Sequence, residues 1–170
     1  AVEIPGGSEI PVNGVGAFSI TLPNTFSSGM IQTDGRVEFW RDGRLQMAGL
    51  IRKIAYADDA NGLTTLVVSG VDMNDLLRRR IVAYASGTAQ ASKSGYADDV
   101  IKAIVRENLG ASAVAARTLT GAGLTVAADV GLAPTMEKGF SWRNVFDVLK
   151  EIADGAATAR GPERLTTPPR

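Results

Sequence analysis

The first third of the chain is written in period two. In Gly16-Ala17-Phe18-Ser19-Ile20-Thr21-Leu22-Pro23 the apolar Phe18, Ile20 and Leu22 alternate with small or polar neighbours, the pattern of a half-buried strand. Pro23 closes it, because proline has no N–H to give to a ladder. Asn24 to Ile31 is mixed and reads as one short helical turn. Asp34-Gly35 and Asp42-Gly43 then bracket Arg36-Val37-Glu38-Phe39-Trp40-Arg41, and Arg44-Leu45-Gln46-Met47-Ala48-Gly49 follows. An Asp-Gly pair between alternating runs predicts a tight hairpin, since it tolerates positive φ. Leu50 to Tyr56 and Leu63 to Gly70 predict two more strands, joined by the turn-forming Ala57 to Gly62. Successive short strands imply an antiparallel meander that closes on itself or packs on a second layer.

The period then becomes helical. Asp72 is placed to cap a helix over Met73 to Arg80, with Asp75 in the capping-box position. Arg78, Arg79 and Arg80 fall in its last turn, where the helix dipole favours cations. Ala85 to Gly95 reads as a loop. In the next helix Val100, Ile101, Ile104, Val105 and Leu109 form one stripe, stopped by Gly110. Within Ala111 to Ala128, short strands are expected at Arg117-Thr118-Leu119 and Leu124-Thr125-Val126. The last helix is capped by Ser141, carries Trp142, Val145, Phe146, Leu149, Ile152 and Ala153 on one face, and ends at Gly155. The expected organisation is a β-rich domain over residues 1–155, with strands mainly in 14–70 and helices near 72–80, 97–109 and 142–154. Residues 156–170 read as a polar tail or linker. The fold class is α+β: an antiparallel β-barrel or sandwich with inserted amphipathic helices.

Composition narrows the chemistry. Among 170 residues there is no histidine and no cysteine, which removes zinc sites built on those ligands, thiolate nucleophiles and Ser-His-Asp triads. An all-carboxylate magnesium or calcium site remains open, but no cofactor is expected. Asp58-Asp59 and Asp98-Asp99 are sequence neighbours, whose side chains diverge on a strand or helix. The first pair suits a turn and the second a helical first turn. Gly14-Val15-Gly16 precedes a strand instead of following one, so it is no phosphate loop, and Ser69 has no base to activate it. The chain is therefore expected not to be an enzyme; a carboxylate-dependent hydrolase is the remaining catalytic reading. Eighteen basic and eighteen acidic residues balance, unlike the basic excess of a dedicated nucleic-acid binder. No apolar run reaches the ~20 residues of a membrane span. Ala1-Val2-Glu3-Ile4-Pro5 lacks the basic and apolar regions of a signal peptide, and its start without methionine suggests an excerpt from a longer protein.

Phe39, Trp40 and Trp142 read as core residues or as stacking platforms for sugar or single-stranded nucleic acid. Because Phe39 and Trp40 are adjacent on a strand, one must face outward, and an outward aromatic beside Arg41 suits a protein contact. Trp40, Arg41, Arg78, Arg79 and Arg80 are thus the candidate interface residues. The arginine run also reads as solvated charge at a helix end or as a phosphate contact.

Four segments together resemble the siphovirus ReqiPepy-type tail proteins: Asn13 to Pro23; Thr33 to Gly43 with Ala48-Gly49-Leu50-Ile51; Val68 to Asp72 leading to Leu76 to Val82; and Lys138 to Leu149. The resemblance implies a structural subunit of a phage tail tip or baseplate hub. It implies tail-tube-like β-barrel domains with helical insertions, a homotrimeric ring, and a location in the virion tail after assembly in the host cytoplasm. The partners implied are other tail proteins (tail-tube or distal tail protein, tip or adhesin proteins), with DNA only in transit. The chain is shorter than the resemblance leads one to expect of a complete member: either a terminal part is missing or it is a minimal version. A sugar- or nucleic-acid-binding module on a barrel-like fold is the alternative.

Overall fold

Asp42 and Gly43 lie at φ 50° and 72°, the two positive angles that a two-residue I′ turn requires, and they fold the expected hairpin. The structure, a computed structural model, describes residues 14–23, 31–58, 64–84 and 86–160. The N-terminal pentapeptide, the helical turn expected near residues 24–30, most of the 57–62 connection and the end of the tail lie outside them. The chain divides into two compact units, Ala1–Leu76 and Leu77–Arg170.

The first unit is a sheet of β1 (Ala17–Pro23), β2 (Arg36–Arg41), β3 (Arg44–Asp58) and β4 (Thr64–Asp72). Its order is β1-β4-β3-β2, antiparallel throughout, so the predicted meander runs β2-β3-β4 and β1 lies beside β4. The segments 44–49 and 50–56 form one continuous strand. It stays whole because a register shift between Ile51 and Lys53 absorbs the irregularity, as a bulge does. Phe18, Leu22, Met47, Ile51, Leu66 and Val68 make the core, flanked by Ile20, Ile31, Val37, Phe39 and Ile54. The period-two residues of β1 thus face inward together. Phe18 lies over Gly49 and Gly70, where an added Cβ would come within 2.7 Å of its ring. The result is an α+β fold with a curled antiparallel half-barrel sheet and a few helices.

Asp72 belongs to β4 and does not cap a long helix. Its Oδ2 accepts the Gly16 N–H at 2.7 Å, its own N–H donates to Gly16 O at 2.9 Å, and its Oδ1 accepts the Asn74 N–H at 2.9 Å. Such local side-chain bonds compete with helix formation, and α1 is a single turn, Asp75–Arg78, in place of Met73–Arg80. The Asp75 carboxylate pairs with Arg52 at 2.8 Å.

In the second unit, β5 (Ala91–Tyr96) pairs with β6 (Thr135–Phe140), and α2 (Ala97–Asn108) packs on α3 (Val145–Arg160) and on β5. β5 lies where a loop was expected. Its sequence Ala-Ser-Lys-Ser-Gly-Tyr has no apolar alternation, and pairing with β6 makes it a strand, a case of tertiary context overriding propensity. The α2 stripe agrees with its periodicity: Val100, Ile104 and Leu109 are buried. Neither 117–119 nor 124–126 forms a strand; a 3₁₀ turn, Thr120–Ala122, lies between them. The final helix starts three residues later than predicted. Asn144 Oδ1 accepts the Phe146 N–H at 2.9 Å, so Asn144 is the cap and Ser141 is not. The helix also runs past Gly155 to Arg160. Gly155 takes no positive φ, and the alanines after it favour helix. Residues 156–160 are therefore helix, not tail.

Candidate functional site

The β2–β3 hairpin carries two of the interface candidates. The ladder shifts between Phe39 and Trp40. Phe39 turns inward, edge-on to Phe18 at 5.0 Å, while Trp40 is 56% exposed. Its Nε1 donates to Glu38 Oε2 at 3.0 Å, and Glu38 also pairs with Arg36 at 2.5 Å. Opposite Trp40 stands exposed Leu45, and Arg41 is exposed beside the turn. The pair Trp40 and Leu45 makes an apolar patch at the hairpin end; the alternation of Leu45 and Met47 predicts their strand, but the shifted register that sets Leu45 against Trp40 is not written in either run.

The arginine run lies in the second unit. Arg78 and Arg79 are exposed and Arg80 is half-buried. Beyond α1 the chain extends and pairs with the entry to α3. Arg80 O accepts the Val145 N–H at 2.8 Å, Val82 N–H donates to Arg143 O at 2.9 Å, and Asn144 Nδ2 donates to Arg78 O. This pairing holds Trp142 outside the helix. The tryptophan expected on the α3 core face is instead 78% exposed at φ 52°, its ring edge-on to Tyr84 at 5.8 Å. The sequence stripe included it because the helix start was placed at Ser141.

Arg117, which sequence reasoning passed over, reaches the same place. Its Nη2 donates to Ile81 O at 2.6 Å and to Asn108 Oδ1 at 3.1 Å. Burial, then repulsion from Arg80, lowers its pKa. An open cleft of about 600 Å³ adjoins it, lined by Tyr84, Gln90, Lys93, Glu107, Val114 and others. Lys93 and Glu107 close one wall as an ion pair at 2.6 Å.

The neighbours Asp98 and Asp99, expected to diverge, converge through a third group. Both carboxylates reach Lys102 Nζ, at 3.3 and 3.2 Å. They do so because Lys102 lies four and three residues on, where helical side chains meet. Asp98 also accepts the Ala133 N–H at 3.1 Å, Asp99 the Val130 N–H at 3.0 Å, and Lys102 donates to Ala128 O at 2.9 Å. The cluster clamps the 128–133 segment onto α2. Burial pulls the Asp98 pKa up, but the Ala133 and Leu132 backbone and Lys102 outweigh it and hold it below 3.8. Burial likewise pulls Lys102 down, and the two carboxylates outweigh it and hold it above 10.5. Asp98 therefore contributes stability that is complete above 3.8 and lost as pH falls through its lower folded value. Lys102 contributes stability that is complete below 10.5 and lost as pH rises through its higher folded value. Lys102→Met is expected to speed amide exchange at Val130 and Ala133 several-fold at neutral pH; in the wild type that acceleration should come only toward the acid or alkaline limits. Hydrogen-exchange mass spectrometry reads both.

Among the described residues no three carboxylates gather as a metal site, and no helix is long and apolar enough to cross a membrane. A search of curated proteins returned no match. Residues 8–160 match the family described as Siphovirus ReqiPepy6 Gp37-like protein. That match takes in both units and all four segments on which the resemblance rests. It leaves out only the first seven and last ten residues, and the chain belongs to the Siphovirus ReqiPepy6 Gp37-like protein family.

Proposed function

We propose that the chain is a non-enzymatic structural subunit of a phage tail tip or baseplate hub, joining the tail tube to the distal tip and enclosing the DNA passage. Membership of a siphovirus family supports a structural role in the virion and interaction with other phage proteins. The observation that carries the finer reading is the curled half-barrel sheet, whose outer strands β1 and β2 have no further strand paired to them among the described residues. A half-barrel with open edges is incomplete by itself, because unpaired edges recruit neighbouring strands. Further copies of the chain complete it as a ring, taken here as a trimer. The absence of histidine and cysteine, with Asp98 and Asp99 committed to Lys102 and backbone amides, supports a non-catalytic role.

Sedimentation and electron microscopy of the full chain, alone and mixed with the tail-tube protein of the same phage, test this. Closed rings, or rings capping the tube, are expected. A chain that stays monomeric at high micromolar concentration under both conditions would sink the hub reading.

A further inference from the structure

We infer that the arginine-framed face around Trp142 docks an acidic segment of a partner protein, with Trp142 and Ile81 as its apolar anchors. The inference rests on the chain being an assembly subunit and names the chemistry that one of its contacts recognises.

The first observation is the tryptophan. A bulky residue at positive φ is an outlier that persists only where its surroundings fix it, and such residues cluster at functional positions. Trp142 is fixed on its N-terminal side by the end of β6, where Phe140 pairs with Ala91, and on its C-terminal side by the bonds from Val82 to Arg143 O and from Val145 to Arg80 O. The strain does not bury the ring, which is 78% exposed with one edge on Tyr84. Ile81, bridged to Asn144 across the same pairing, is 51% exposed. A rigid exposed indole beside an exposed aliphatic side chain has the composition of an interface hot spot.

The second observation is charge. Arg78 and Arg80 precede Ile81, Arg143 follows Trp142, and Arg117 binds the Ile81 carbonyl. Glu151 answers Arg143 and Lys138. Among the described residues no carboxylate pairs with the side chains of Arg78, Arg80 or Arg117, and the Arg117 side chain bonds neutral oxygens. Repulsion between Arg80 and Arg117 adds to the cost of holding them together. A carboxylate brought by a partner relieves that repulsion and matches the planar fork of guanidinium. The aliphatic anchor and the chain's balanced charge favour a protein segment over nucleic acid, which asks for a basic excess along its backbone.

The test is fluorescence anisotropy on the full chain with three labelled probes. One is a short peptide alternating glutamate with leucine and phenylalanine, another the same peptide with lysine for glutamate, and the last a short single-stranded DNA. Saturable binding of the acidic peptide is expected, weakened by rising salt and absent for its lysine counterpart. Trp142→Ala and the double variant Arg78→Glu/Arg80→Glu should each weaken it by roughly tenfold or more, and Trp142→Phe should retain most of it. Arg44→Glu/Lys53→Glu, which changes exposed cations in the first unit, should leave it unchanged. Equal binding by the Trp142→Ala chain, equal loss in the first-unit control, absent binding of the acidic peptide, or tighter binding of the DNA would each overturn the inference. Ring formation is not read by this assay, so the hub reading stands or falls separately by sedimentation.

Discussion

Gly70→Ala is expected to destabilise the first unit by about 3 kcal/mol, at the upper end of the cost of overpacking a core, and to lower its melting temperature by roughly 10–20 °C. An alanine Cβ at position 70 would stand 2.1 Å from Leu50 O and 2.7 Å from Phe18 Cζ. The first contact is with backbone across the β3–β4 ladder, so the strands must part; the second is with a core ring at 7% exposure that has no free space to enter. Shrinking the ring should remove part of the clash. Phe18→Leu alone costs stability through the cavity it leaves, yet combined with Gly70→Ala it should cost less than the sum of the two, because the pair shares one contact. Gly121→Ala is the control: it has open space and no positive φ, and its effect should fall within about 0.5 kcal/mol. Calorimetry of the four variants measures all of this. A Gly70→Ala chain that melts with the wild type would show that Phe18 does not need the glycine slot.

That slot marks the limit of what the sequence makes legible. Phe18, Ile20 and Leu22 declare a strand by local alternation, and Asp42-Gly43 declares its turn by backbone preference, so both are readable from short windows. The meaning of Gly70 depends on the β1–β4 register, which sets it opposite Phe18; within its own run it is only the last residue of an expected strand. β5 is a strand only because β6 lies beside it. The helix limits differ from the local pattern for the same kind of reason: Asp72 has the chemistry of a cap, and its contact with Gly16 makes it the end of β4 instead. The interface candidates divide similarly. Adjacent aromatics on a strand must diverge, so geometry alone requires one of Phe39 and Trp40 to be exposed, and it is Trp40. The exposure of Trp142 followed from a pairing between residues 80–82 and 143–145 that no local pattern announces. Asp98 and Asp99 were read as a pair, and they work as a triad with Lys102 because a loop returns to all three.

Asn108→Ala should be the most damaging single change in the second unit, costing about 2–4 kcal/mol through an emptied site and unpaired polar groups. Asn108 is fully buried at the end of α2, four residues after Ile104 on the helix's apolar stripe. A polar residue there was the sequence signal for it. Its Oδ1 accepts the Ala83 N–H at 2.8 Å and an Arg117 N–H at 3.1 Å, and its Nδ2 donates to Ile104 O at 2.8 Å. One side chain thus ties the 81–84 segment and Arg117 to the helix. Alanine removes every one of these bonds, and water cannot easily replace them at a site with no exposed surface. Asn108→Leu fills the volume without the bonds, so it should recover the cavity contribution and leave the polar one. Asn108→Asp keeps both acceptor contacts and places a carboxylate beside Arg117, at the cost of burying its charge. Its second oxygen faces Ile104 O without a proton to donate, so it should lie between wild type and Asn108→Ala at neutral pH. Thermal melts of the three variants at neutral pH separate these contributions. If the leucine chain is as stable as wild type, Asn108 fills space and its hydrogen bonds add nothing net. If leucine stays well below aspartate at neutral pH, the hydrogen bonds hold the Arg117 end of the proposed docking face in place.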